Sequence, residues 1–143
     1  MKQKRIFIIL VILAFFLSCN SLFGPKSIKA GRWTATTDFG GFELVVDSGG
    51  TSISEIKFNF SNWHGTSGSI TVKRTPSWPI TEREFEIECD IAGYGSEDLY
   101  TITGTFADNC KKASGSWTEA INDTTYSGSW EGEWTGSSSF VFK

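Results

Sequence analysis

The strongest constraint on the fold is a period of two. Between Tyr100 and Trp134 three short segments alternate apolar residues or glycine with hydroxyl-bearing or charged ones. Tyr100, Ile102, Gly104 and Phe106 alternate with Thr101, Thr103 and Thr105; Ala113, Gly115 and Trp117 with Ser114, Ser116 and Thr118; Tyr126, Gly128 and Trp130 with Ser127, Ser129 and Glu131. Successive side chains of a strand point to opposite faces, so each segment has one buried side and one wet side. A helix would need its apolar stripe to recur about every three to four residues. From Gly31 onward no window keeps that spacing for more than a turn or two.

The same alternation runs through the rest of the chain. Trp33 to Thr37 predicts a first strand, ended by Asp38-Phe39-Gly40-Gly41, and Phe42, Leu44 and Val46 predict a second, ended by Asp47-Ser48-Gly49-Gly50. Ile56, Phe58 and Phe60, then Ile70 and Val72, mark two more. Arg74 to Pro79 holds two prolines and reads as a loop. Phe85, Ile87 and Cys89 alternate with Glu84, Glu86 and Glu88, and Phe140 and Phe142 supply a last strand. The expected fold is all-β, an antiparallel β-sandwich or a meandering β-barrel of eight or nine strands. Gly104, Gly115 and Gly128 each precede a large aromatic by two residues, so they are expected to align across neighbouring strands and leave room for the rings.

The N-terminus carries a different signal. Lys2, Lys4 and Arg5 precede an apolar run from Ile6 to Leu17, too short to span a bilayer comfortably, which reads as an export signal over residues 1–18. Leu17-Ser18-Cys19 resembles the lipobox of bacterial lipoproteins, with Phe16 where an aliphatic residue is usual. That resemblance implies that Cys19 is acylated, palmitate-type, and becomes the new N-terminus; the alternative is an ordinary signal peptide cleaved nearby. Residues 19–30 would then be the anchor and a tether spanning about 18 Å as a flexible coil. Residues 31–143 would form a single domain on the periplasmic or extracellular side of an envelope membrane.

The signal segment holds three of the 13 Lys and Arg and none of the 16 Asp and Glu, so the remainder carries a net charge of −6. This balance argues against nucleic acid and against a polybasic membrane contact; the expected partner is the bilayer itself, through Cys19, with the domain a monomer. Three cysteines leave one over in an exported protein, and lipidation of Cys19 would account for it. Cys89 and Cys110 are then expected to form a disulfide that closes a loop of about 20 residues, worth about 3 kcal/mol in the loop-entropy model.

No catalytic motif is visible: the chain has no G-x-S-x-G, H-E-x-x-H, G-x-G-x-x-G or P-loop pattern. His64 is the only histidine and is expected as an exposed loop residue. Glu84, Glu86 and Glu88 share one face of a strand about 6.5 Å apart, which reads as a solvated face before it reads as acid–base or calcium chemistry. Glu131 and Glu133 read the same way. The segment from Asp90 to Asp98 has oxygen ligands enough for calcium without the spacing of a known calcium loop. No metal, cofactor or enzymatic role is expected.

The order Gly31-Arg32-Trp33, Ile102-Thr103-Gly104-Thr105-Phe106, Ala113-Ser114-Gly115-Ser116-Trp117 and Gly128-Ser129-Trp130 resembles small all-β domains of uncharacterised bacterial secreted proteins and lipoproteins. Over most of residues 31 to 134 this resemblance implies a sandwich or barrel and carries over no catalytic residues. Gly31-Arg32-Trp33 is also similar to the opening Gly-x-Trp of lipocalin barrels, which implies a carrier of a small apolar ligand. Trp63 and Trp78 fall in expected loops and Trp134 at a strand end, where rings stack on sugars or hold apolar ligands, or simply cap the fold. The expected function is binding, of a protein, a glycan or a small apolar ligand. A carrier requires an inner cavity, and an enzyme requires polar groups that converge in a cleft.

Overall fold

The computed structural model describes residues 27–91, 99–108 and 110–136. The signal segment, Cys19, most of the tether, nearly all of the Asp90–Asp98 loop and the expected strand around Val141 lie outside the described residues. Eight strands follow in order: β1 (Gly31–Thr37), β2 (Gly40–Val46), β3 (Ser52–Trp63), β4 (Thr66–Thr81), β5 (Glu84–Asp90), β6 (Leu99–Phe106), β7 (Lys112–Ile121) and β8 (Thr124–Gly136). Each pairs antiparallel with the next, and β8 returns to β1, so the sheet closes into an up-and-down barrel. Of the two architectures that the alternation allows, the barrel is the one formed, with eight strands among the described residues.

Turn chemistry helps to close it. Three hairpins turn on two residues that both have positive φ: His64-Gly65 (49° and 79°), Glu82-Arg83 (52° and 72°) and Asn122-Asp123 (42° and 65°). Their flanking pairs are Trp63 with Thr66, Thr81 with Glu84, and Ile121 with Thr124. This geometry matches the right-handed twist of the strands it joins. Glycine, asparagine and aspartate accept it readily, whereas Glu82 and Arg83 are unusual there.

The interior is filled by rings. Strand β5 alternates exposed and buried residues throughout its length, with Phe85, Ile87 and Cys89 inside and Glu84, Glu86 and Glu88 in solvent. Phe39, in the β1–β2 turn, folds inward and is fully buried against Trp117, 5.1 Å between centroids, and Tyr100, 5.8 Å. Phe42 packs edge-on against Trp130 at 5.1 Å, and Trp33 against Phe106 at 4.7 Å. Burying an aromatic side chain contributes on the order of 2 kcal/mol or more, so this cluster is a large share of what holds the barrel together.

The glycines make room for these rings in an arrangement that differs from the expected row. Gly104 and Gly115 do face each other across β6 and β7, but Gly128 lies opposite Trp117. The offset seats the Trp130 indole over Gly104 and the Trp117 indole against Gly128, each in the volume that a Cβ would occupy. Trp130 Nε1–H donates to the carbonyls of Thr103 at 2.9 Å and Ser116 at 3.2 Å, which fixes the ring.

Strand β4 departs most from expectation. Arg74 to Pro79 is part of the strand and not a loop, because the prolines are accommodated at an irregularity: Glu55 faces Lys73 while Ile53 faces Trp78, so residues 74–77 bulge outward. The bulge turns Trp78 into the core, where it is 1% exposed. Next to it, Ile80 N–H donates to Thr51 O at 2.8 Å, so by alternation Pro79 faces β5, with no N–H to give. The β4–β5 ladder accordingly has only two residue pairs, Ile80 with Phe85 and Thr81 with Glu84. Beyond them the wall has an unpaired seam.

The expected Cys89–Cys110 disulfide is absent, and both thiols are buried. Antiparallel pairing is the reason. Cys89 lies opposite Tyr100 at the start of β6, whereas Cys110 lies in the turn after Phe106 at the end of β6. Six strand residues place the two at opposite ends of the barrel, about 20 Å apart along the strand, against the roughly 7 Å that a disulfide can bridge between Cα atoms. Burial, with Asp90 and Glu88 adding to it, pushes the Cys89 thiol up to about 12.

Candidate functional site at the barrel mouth

The two ends of the barrel are not equivalent. At the end formed by the β1–β2, β3–β4 and β7–β8 turns, the rings stop short of the rim and leave a cavity of about 440 Å³. Its apolar wall comes from Phe60 of β3, Ile70 of β4, Ile91 after β5, and Ile121 of β7. Ile70 lies on β4 and Ile91 directly follows β5, the two strands that flank the unpaired seam, so the cavity borders that seam.

Tyr100, Glu119 and Tyr126 occupy one row across β6, β7 and β8, since Tyr100 pairs with Glu119 and Glu119 with Tyr126. Glu119 follows Ala113, Gly115 and Trp117 on the inward face of β7, so the strand places a carboxylate where its period demands an apolar group; it is 2% exposed. Three donors surround it. The Tyr100 hydroxyl donates to Oε1, Trp63 Nε1–H donates to Oε2 at 2.8 Å, and His64 Nε2 lies 3.1 Å from Oε2. The β3–β4 hairpin thus reaches across the mouth and is tied to β7. No Lys or Arg side chain joins the group among the described residues.

The rings of the hairpin pack beside this carboxylate. His64 sits between Trp63, at 4.5 Å between centroids, and Tyr126, at 4.6 Å, and Trp63 meets Trp117 edge-on at 5.6 Å. Tyr126 remains 38% exposed on the rim. The site is amphipathic: an aromatic and aliphatic wall, one buried negative group, and the hydrogen-bonding side chains of Thr66, Asn122 and Thr124 around it.

Of the three tryptophans expected to bind a ligand, only Trp63 lies here. Trp78 is core, and Trp134 is half-buried at the opposite end, its Nε1–H donating to Ala30 O at 3.0 Å and the Lys29 ammonium 4.4 Å from its ring. His64 is exposed and in a turn, as its sequence context suggested, and it is also hydrogen-bonded to Glu119. Glu84, Glu86 and Glu88 stand in solvent on the outer wall, as do Glu131 and Glu133, and among the described residues no three His, Cys, Asp or Glu side chains group as metal ligands. Glu119 and Tyr100 were missed as site residues, although the alternation Ala113, Gly115, Trp117 carried one step further lands on Glu119. Comparison with known proteins identifies no relative: no family model, no curated protein and no solved structure matches this chain.

Proposed function

We propose that this protein is a lipid-anchored, non-enzymatic binding protein of the cell envelope that takes a small ligand at the mouth of its barrel. The carrying observation is the Glu119 carboxylate, 2% exposed, set in the aromatic wall of a cavity of about 440 Å³. A cavity of that size with an apolar lining and a few convergent polar groups is the usual form of a small-molecule site. The filled barrel interior favours a ligand held at the rim over one carried in a deep calyx. His64 hydrogen-bonds Glu119 alone among the described residues and no serine or cysteine, which favours binding over acyl-transfer chemistry.

Two measurements test this reading. Intact mass of the protein from a bacterial membrane fraction should begin at Cys19 with a diacylglyceryl or triacyl increment; an unacylated chain in the soluble fraction overturns the anchor. A small-molecule screen by thermal shift should yield binders that stabilise the wild-type protein by about 2.7 kcal/mol at a hundredfold excess over Kd. Trp63→Ala should abolish the response, and binders that stabilise both proteins equally would move the site elsewhere.

A further inference from the structure

The geometry points to the chemical class of that ligand, and the inference rests on the mouth being the binding site: a small organic cation, an alkylammonium with an apolar body. Glu119 is the only carboxylate among the described residues that line the cavity, and its three partners are a phenol, an indole and an imidazole. Among the described residues no Lys or Arg lies against this carboxylate. A carboxylate has about four acceptor positions and three are taken here, which leaves one side of it open to a ligand cation.

The surroundings suit the same class. Trp63 and Tyr126 place indole and phenol rings beside the carboxylate, and such rings attract a cation through their quadrupole. Phe60, Ile70 and Ile91 offer an apolar surface to the remainder of the molecule. An anion would meet a carboxylate that no Lys or Arg among the described residues offsets, and a neutral polar molecule would forgo the attraction of both the carboxylate and the rings. The net charge of −6 on the chain outside the signal segment acts in the same direction at longer range.

The test is titration of the purified full-length chain with choline, with its neutral carbon isostere 3,3-dimethylbutan-1-ol, and with hexanoate. Choline should bind at least about tenfold more tightly than the isostere, a difference of about 1.4 kcal/mol, and hexanoate should not bind. Glu119→Gln should erase the preference. Tyr126→Leu, at an exposed rim position where folding is not at stake, should weaken choline about fivefold and leave the isostere unchanged. Equal or tighter binding of the isostere to the wild-type protein overturns the inference while leaving a ligand site at the mouth. Absence of any choline effect, with neutral molecules still perturbing Trp63, does the same. If no compound of any charge perturbs Trp63, the mouth is not a site and both readings fall. Displacement of bound choline by phosphatidylcholine vesicles would assign the nitrogen to a lipid headgroup and its persistence to a free small cation, and the cationic class holds with either.

Discussion

At Glu119 a carboxylate is withdrawn from water and held by three hydrogen-bond donors, with no guanidinium or ammonium opposite it among the described residues. Removing the acceptor takes away the hydrogen bonds that Trp63 Nε1–H, the Tyr100 hydroxyl and the His64 imidazole make to it. Glu119→Leu is therefore expected to cost about 3 kcal/mol or more in chemical denaturation, and Tyr100→Phe, which removes one donor, about 1–2 kcal/mol. A Glu119→Leu protein as stable as wild type would show that the cluster does not hold the hairpin. Glycine gives the complementary case. A Cβ at Gly115 would land on the Thr103 carbonyl oxygen and within 2.7 Å of the Gly104 Cα, both backbone, so Gly115→Ala should lose at least about 2 kcal/mol. A neutral outcome would mean that β6 and β7 can separate at this point. Both residues were half legible in the sequence. The inward set on β7 was identifiable from Ala113, Gly115 and Trp117, but a glutamate at the next inward position reads as the end of a strand until its partners are known. Those partners come from β3, β6 and the β3–β4 turn, distant in sequence.

Among the elements, β5 illustrates what alternation can and cannot say. Its buried and exposed residues fall where period two puts them, and the exposed glutamates stay on the outer wall. Alternation is silent, however, on which strand lies beside which end, and that is where the disulfide expectation failed: the ends of two consecutive antiparallel strands point in opposite directions. It also failed at β4, because two prolines in six residues normally mark a loop, and here one sits at a bulge while the other faces a seam that needs no N–H. The seam makes a local prediction. The Glu86 and Glu88 amides point towards β4, where the ladder has stopped, whereas those of Ile87 and Cys89 point into the continuous β5–β6 ladder. Hydrogen exchange at Glu86 and Glu88 should be faster by about tenfold or more than at Ile87 and Cys89. Equal protection of all four would show that the wall is closed along its full height.

Taken as a whole, the barrel sets its two ends to different tasks. β1 begins at the end opposite the cavity, where Ile28 is buried, Trp33 Nε1–H donates to Lys29 O at 2.9 Å, and Trp134 Nε1–H donates to Ala30 O. A tether from an acylated Cys19 would enter at that end and turn the mouth away from the bilayer. In lipid nanodiscs doped with a gadolinium lipid, the Trp134 indole resonance should broaden more than that of Trp63, and the reverse order would rule out this orientation. The absence of a Cys89–Cys110 disulfide also belongs at this scale, since the buried rings and the remaining strand ladders hold the barrel without it. Unfolding in denaturant without reductant should expose two titratable thiols, Cys89 and Cys110, and a chain that exposes none would contradict the register across β5, β6 and the following turn. The fold class was legible because a barrel and a sandwich share one alternation, and closure was not, because it depends on β1 meeting β8 across the whole chain.

The central claim is that the mouth beside Glu119 is where this protein meets its ligand. The most direct measurement is the proton–nitrogen spectrum of the tryptophan indoles during titration with any binder found by screening. The Trp63 indole, bonded to Glu119 at 2.8 Å, should shift with saturation, while Trp130, locked on Thr103 and Ser116 inside the barrel, and Trp134, at the far end, stay in place. A binder that moves Trp134 and leaves Trp63 unchanged would contradict the account.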